Sequence, residues 1–157
     1  MKKQSVLFVC LGNICRSPAA EAIFLDLINK KGIDDRFIVD SAGTGSWHIG
    51  KIADTRMRIA AQKRGIEILS RARQINANDF EKFNHIVAMD NSNFENINNL
   101  KSRKSSSDFS SINKIQSFRS IFEEKEVPDP YFGGNEGFDH VLDILEDSVS
   151  GFLDTIC

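Results

Sequence analysis

At 157 residues, with 41% hydrophobic and 27% charged residues, the chain has the length of one domain and a composition that excludes a disordered polymer; a domain of this size can bury roughly two-thirds of its unfolded surface without a metal or disulfide staple. Twenty Lys and Arg against twenty-two Asp and Glu leave a formal charge of -2, which excludes a molecule-wide footprint for nucleic acid or an anionic membrane, so any anion site must be local. The three cysteines, at positions 10, 15 and 157, are too few for a secreted disulfide framework and favour a reducing, cytoplasmic setting.

Lys2-Lys3 followed by the apolar run from Val6 to Leu11 resembles a secretory leader only superficially. The run is short, Asn13 and Arg16 interrupt the path to a cleavage site, and Ser5 to Cys10 reads better as a buried central strand. A helix follows the Gly12-Asn13 turn: Ser17 suits its N-cap, Pro18 its first position and Glu21 its positive end, while Ala20, Ile23, Phe24, Leu27 and Ile28 recur at helical spacing until Gly32. Phe37 to Asp40 reads as a second strand, Thr55 to Arg64 as a helix stopped by Gly65, His85 to Met89 as a third strand and Asn91 to Leu100 as its helix. Lys101 to Ser111, rich in Ser and Lys, reads as a solvated loop, and Ile115 to Phe118 as a fourth strand. Phe138, Val141, Leu142, Leu145, Val149 and Phe152 form the apolar stripe of a last helix. This alternation predicts an α/β fold, a parallel sheet covered on both faces with right-handed crossovers and a site at the carboxyl ends of its strands, where Cys10 falls. No stretch approaches the length of a membrane span.

The run Cys10-Leu11-Gly12-Asn13-Ile14-Cys15-Arg16-Ser17 carries the clearest chemistry. A thiol attacking a phosphomonoester must be ionised and must approach a group that is already anionic. A loop between a strand and a helix start aims backbone amides and the helix dipole at one point, which holds phosphate and favours the thiolate over the thiol. Arg16 supplies a planar fork for two phosphoryl oxygens, Gly12 permits close backbone approach, Asn13 tolerates a left-handed turn, and the Ser17 hydroxyl can reach the Cys10 sulfur. Taken alone, a cysteine at a strand end is a small buried hydrophobe and a Cys-x5-Arg spacing arises by chance. Strand, turn, arginine and Ser-Pro helix start together point to a nucleophile. Cys15 either packs beneath the loop or forms a reversible disulfide with Cys10.

A leaving alcohol needs a proton. Asp129, fixed between Pro128 and Pro130 and followed by aromatics and Gly133-Gly134, suits that role and suits a plain turn aspartate equally. Asp54 and Asp90 are competing acids, of which Asp90 reads as the cap of the next helix. His48, His85 and His140 show no metal-ligand spacing, so no metal or other cofactor is expected, and His48 reads as a rim residue. Trp47, Tyr131 and Phe132 flank loops at the active end, where an aryl ring could be sandwiched.

The segment from Cys10 to Glu21 resembles the signature loop of the low-molecular-weight protein tyrosine phosphatases, and further matches follow in that family's order: Asp40 to Thr44, Trp47 to Gly50, Ala72-Arg73-Gln74, Met89-Asp90 and Pro128 to Gly134. The resemblance implies a doubly wound, Rossmann-like sheet of four parallel strands flanked by helices, with residues 1–157 as a single phosphatase domain. It implies that Cys10 is the nucleophile, Arg16 the phosphate clamp and Asp129 the general acid. Leu11, Gly12, Asn13, Ile14, Cys15 and Ser17 would surround the phosphate, with Ser17 stabilising the leaving thiolate. Trp47, Tyr131 and Phe132 would line the crevice, and Asn13 with Ser41 would support the loop. Ser70 stands where the family often has a histidine in that support. The implied substrate is a phosphotyrosine protein or a small aryl phosphate, with inorganic phosphate as product. Two other readings share parts of this pattern: a thioredoxin-coupled arsenate reductase, which needs relay cysteines that the chain lacks between positions 15 and 157, and a non-catalytic phosphate- or phosphotyrosine-binding module.

Overall fold

The computed structural model describes residues 3–102, 110–131 and 133–157. In chain order the main elements are β1 (Gln4–Cys10), α1 (Arg16–Lys30), β2 (Phe37–Gly43), α2 (Thr55–Gln62), α3 (Asp79–Lys82), β3 (His85–Ala88), α4 (Asn91–Ser102), β4 (Ser111–Lys114) and α5 (Asn135–Ile156). The strands form one parallel sheet in the order β2-β1-β3-β4, the doubly wound arrangement that the alternating pattern predicts.

The central strand is apolar without interruption because both faces are covered. Val6, Leu7, Phe8 and Val9 are fully buried. Alternate side chains point opposite ways, and the two sets join different clusters. Val6 and Phe8 pack with Phe24 and Ile28 of α1, Met57 of α2 and Phe152 of α5. Leu7 and Val9 pack with Phe80 of α3, Phe83 and Ile97 of α4. The first cluster is rich in rings: Phe8, Phe24 and Phe152 lie with centroids 5.8–6.2 Å apart. No helix among the described residues is long and apolar enough to cross a membrane.

Three expectations change. The fourth strand is Ser111–Lys114, and Ile115–Phe118, expected to be that strand, is a 3-10 turn. Apolar pattern misplaces it because β4 is a short edge strand whose pairing to β3 is carried by backbone, whereas Ile115 is buried in the first cluster and the Phe118 ring packs 5.1 Å from that of Phe152. The expected loop from Lys101 to Ser111 is also shorter: α4 runs to Ser102, residues 103–109 lie outside the described residues, and Ser110 is buried within hydrogen-bonding reach of the Phe80 and Phe83 carbonyls. The first helix starts at Arg16 with Cys15 as its N-cap, so Ser17 does not cap it and Pro18 sits deeper in the first turn than expected.

Candidate active site

The Cys10–Ser17 loop rises from the carboxyl end of the central strand and folds over the end of β2. A Cβ on Gly43 would come 2.7 Å from the Leu11 carbonyl oxygen, so only glycine lets the loop lie there. The amides of Thr44 and Gly45 donate to the carbonyls of Cys10 and Leu11, both at 2.9 Å.

Asn13 locks the turn. Its φ of 57° is the left-handed conformation that asparagine tolerates better than most residues, and it is the only non-glycine with positive φ among the described residues. Its side-chain oxygen accepts from the Arg73 amide at 3.0 Å, which fixes the orientation of the carboxamide. Its nitrogen donates to Ser17 Oγ at 2.8 Å and to Ser41 Oγ at 3.0 Å. Because Ser17 Oγ accepts from Asn13, its own hydrogen is available to Cys10 Sγ at 3.0 Å, a shorter contact than the 3.4 Å to the Ala42 carbonyl. The Asn13 amide donates to the same sulfur at 3.3 Å. On the other branch Ser41 donates to Glu21 Oε1 at 2.6 Å, and Ser70 lies near enough to that carboxyl to favour its charge. Burial pushes the Glu21 carboxyl above its ordinary range, opposed by its hydrogen bond from Ser41.

Arg16 is 2% exposed, and its guanidinium is held along one edge. Nη1 donates to Asp90 Oδ2 at 2.6 Å and to the Val127 carbonyl at 3.1 Å. Nη2 lies 3.6 Å from Asp129 Oδ2. Burial opposes the charge, but Cys10, the Asp90 hydrogen bond and the nearby carboxylates outweigh it, so Arg16 is even more firmly protonated than usual. Asp90 does two things at once: Oδ1 accepts from the Asn93 amide at 2.7 Å as a helix cap, and Oδ2 orients Arg16. The capping role was legible in sequence; the arginine contact spans 74 residues and was not.

The acid segment reaches the loop from across the molecule. Asp129 Oδ1 accepts from the Tyr131 amide at 3.1 Å, bending the segment so that the carboxyl faces Arg16. A tie that spacing does not reveal fixes it: Arg56 Nη2 donates to the Tyr131 carbonyl at 2.9 Å and to Asp54 Oδ2 at 3.0 Å, while the guanidinium stacks 4.6 Å from the Phe138 ring. Asp54 caps α2, and its amide donates to the Ile14 carbonyl at 2.7 Å. Arg56 and Asp54 therefore join the Cys10 loop to the Asp129 segment. Burial works against the Asp54 charge, but the hydrogen bonds from Arg56 hold its carboxyl below the ordinary range, which suits a strut and not a proton donor.

These elements enclose a cavity of about 150 Å³ lined by Cys10, Leu11, Gly12, Ile14, Cys15, Arg16, Trp47, His48, Asp129 and Tyr131. Most of the expected site residues meet there. Asn13, Ser17 and Ser41 lie behind the loop as its support, and Phe132 lies outside the described residues. His48 contributes more than a rim: a Cβ on Gly12 would come 2.9 Å from its ring. Cys10 and Cys15 form no disulfide, and burial with the nearby Asp54 and Cys10 pushes the Cys15 thiol far up, so that Cys15 stays protonated.

A family model described as low molecular weight phosphotyrosine protein phosphatase matches residues 5–157. The low molecular weight phosphotyrosine protein phosphatase of Schizosaccharomyces pombe is 42% identical over 156 residues, covering 99% of this chain and 98% of its own. The solved protein tyrosine phosphatase of Entamoeba histolytica, with Hepes in its active site, superposes with a TM-score of 0.92 at 42% identity, covering 98% of this chain and 97% of that one. A Drosophila arginine phosphatase superposes with a TM-score of 0.91 at 36% identity, covering 99% and 98%.

Proposed function

The chain belongs to the low molecular weight phosphotyrosine protein phosphatase family, and on that premise we propose that Cys10, Arg16 and Asp129 carry out the hydrolysis of phosphotyrosine and related aryl phosphates through a phosphocysteine intermediate. The Cys10 thiolate attacks phosphorus as the bond to the aryl oxygen breaks, and Asp129 gives that oxygen its proton. Asp129, now a carboxylate, takes a proton from water, whose oxygen attacks phosphorus and releases inorganic phosphate and the thiolate. No cofactor enters either step. Arg16 and the loop amides hold the equatorial oxygens throughout.

The observation that carries this reading is that Asp129 is, among the described residues, the one carboxylate lining the cavity that Cys10 and Arg16 also line. A binding module needs the anion site and not the acid. An arsenate reductase needs a relay thiol, and the third cysteine is badly placed for it: the Ile156 carbonyl beside Cys157 accepts from Gln4 Nε2 at 2.6 Å, at the opposite end of β1 from Cys10, about 20 Å away at the rise of a strand. Aryl preference is supported by the apolar walls of Leu11, Ile14, Trp47 and Tyr131, in a volume of the order that accepts one benzene ring. The requirement for a thiolate supports a cytoplasmic setting, with residues 1–157 acting as one phosphatase domain. Hydrolysis of p-nitrophenyl phosphate by the native chain in EDTA tests the proposal; no turnover, or arsenate-dependent oxidation of thioredoxin in its place, overturns it.

Arg16→Lys should lower kcat/KM for phenyl phosphate about a hundredfold. Lysine keeps the charge but cannot hold Asp90, the Val127 carbonyl and two phosphoryl oxygens together. Steady-state kinetics with inorganic phosphate as inhibitor check this, since phosphate should also inhibit less well.

Arg56→Ala should cut turnover of poor leaving groups about tenfold and scarcely alter that of good ones, because the tie it removes positions the acid and not the nucleophile. A series of aryl phosphates of falling phenol pKa reads this directly: the slope against leaving-group pKa should steepen, whereas general destabilisation would lower every substrate alike.

A further inference from the structure

Next to the Cys10 cavity, and sharing Leu11 and Trp47 with it, is a second depression of about 370 Å³. Its polar lining is Thr44, Gln74, Asn96 and Asn99, its apolar floor includes Ile75 and Leu100, and no charged side chain among the described residues lines it. Trp47 forms the partition: its indole covers Gly45, where a Cβ would come 1.8 Å from the ring.

The helix on the far side has an unusual composition. Five of the twelve residues of α4 are asparagine, a poor helix former. Some of them serve the fold, since Asn98 donates to the Phe94 carbonyl and Asn91 accepts from Lys114. Asn96 and Asn99 do not: three apart, they share one face of the helix, both are exposed, and neither side chain bonds another described residue. Gln74 spends its nitrogen on the Thr44 carbonyl and keeps its oxygen.

We propose that this depression is a subsite for the substrate's polypeptide chain beside the phosphotyrosine, in which the amides of Asn96, Asn99 and Gln74 hydrogen-bond main-chain N–H and C=O groups. A carboxamide both donates and accepts, as a peptide group does. The described lining offers no charged partner to an acidic or basic side chain, whereas its amides suit main chain. A ring seated on the Cys10 loop directs its own Cα out to the cavity mouth, and Leu11 and Trp47 line both that cavity and the second hollow. The subsite rests on the hydrolase reading above and adds to it a preference for polypeptide over small aryl phosphates.

The test compares two substrates, phenyl phosphate and a phosphotyrosine flanked on each side by two alanines, acetylated and amidated so that only main chain is offered. The native chain should prefer the peptide. The double variant Asn96→Ala with Asn99→Ala should lose about tenfold in kcat/KM on the peptide, through KM, and remain within twofold on phenyl phosphate. Alanine favours helix, so thermal unfolding should be unchanged or raised, and lost folding cannot mimic the result. Equal losses on both substrates, no loss on the peptide, or no native preference for the peptide each overturn the subsite while leaving hydrolysis intact. A native chain inert on phenyl phosphate overturns the hydrolase reading itself, and the subsite with it.

Discussion

Replacing Cys10 by serine should reduce turnover of aryl phosphates about 10⁴-fold or more while leaving the binding of inorganic phosphate intact. The sulfur sits 3.0 Å from Ser17 Oγ and 3.3 Å from the Asn13 amide, partners that stabilise negative charge on a thiolate. A serine oxygen in the same place keeps its proton at neutral pH and does not attack phosphorus at a useful rate. The anion site does not depend on the sulfur: Arg16 remains anchored by Asp90 and Val127, and Asn13 still holds the left-handed turn through Arg73 and Ser41. Removing the thiolate also removes its repulsion of the phosphate, so phosphate affinity measured by calorimetry should be equal or higher. Loss of phosphate binding together with activity would mean that Cys10 shapes the loop and is not simply its nucleophile.

Asp129→Ala should cost about 10² to 10⁴ in turnover with phenyl phosphate and far less with dinitrophenyl phosphate, whose phenolate leaves without a proton. Asp129→Asn separates chemistry from scaffolding. Asparagine can still accept from the Tyr131 amide, the bond that shapes the segment, but cannot act as an acid. If the Asn variant matches the Ala variant on phenyl phosphate, the lost proton transfer accounts for the defect. If it retains native turnover, Asp129 is a turn residue and the acid lies elsewhere. Asp54, capping α2 and tied to Arg56, is a poor replacement, and Asp90 is committed to Arg16.

The parts of this site that could be read in the sequence are those whose causes are local. Cys10, Gly12, Asn13, Arg16 and Ser17 lie within eight residues, and the strand, turn and helix that arrange them have their own signals in the same stretch. The stripe of the last helix was visible for the same reason: 3.6-residue periodicity is written in consecutive sequence. What was hidden is what the fold supplies from a distance. Arg56 bonds the carbonyl of Tyr131, 75 residues away, and any residue type offers a carbonyl, so no side-chain motif marks the contact. Asp90 looked like a cap, and is one, but half of its carboxylate serves Arg16. Ser17 reads as a cap and is not, because the helix already begins at Arg16 and the Ser17 hydroxyl accepts from Asn13 and faces Cys10. The edge strand was misplaced because Ser111–Lys114 pairs by backbone, and its hydropathy carries less signal than the buried turn that follows.

The chemistry proposed for Cys10 is tested most directly by trapping the intermediate. Asp129→Ala leaves the first step open to a dinitrophenyl ester but removes the base for the second, so phosphoenzyme should accumulate during turnover. After acid quenching and proteolysis, mass spectrometry should find one phosphoryl group on the peptide that carries Cys10, and none when Cys10→Ser is added. Steady turnover with Cys10 unmodified, or the phosphoryl group on any other residue, contradicts a phosphocysteine mechanism.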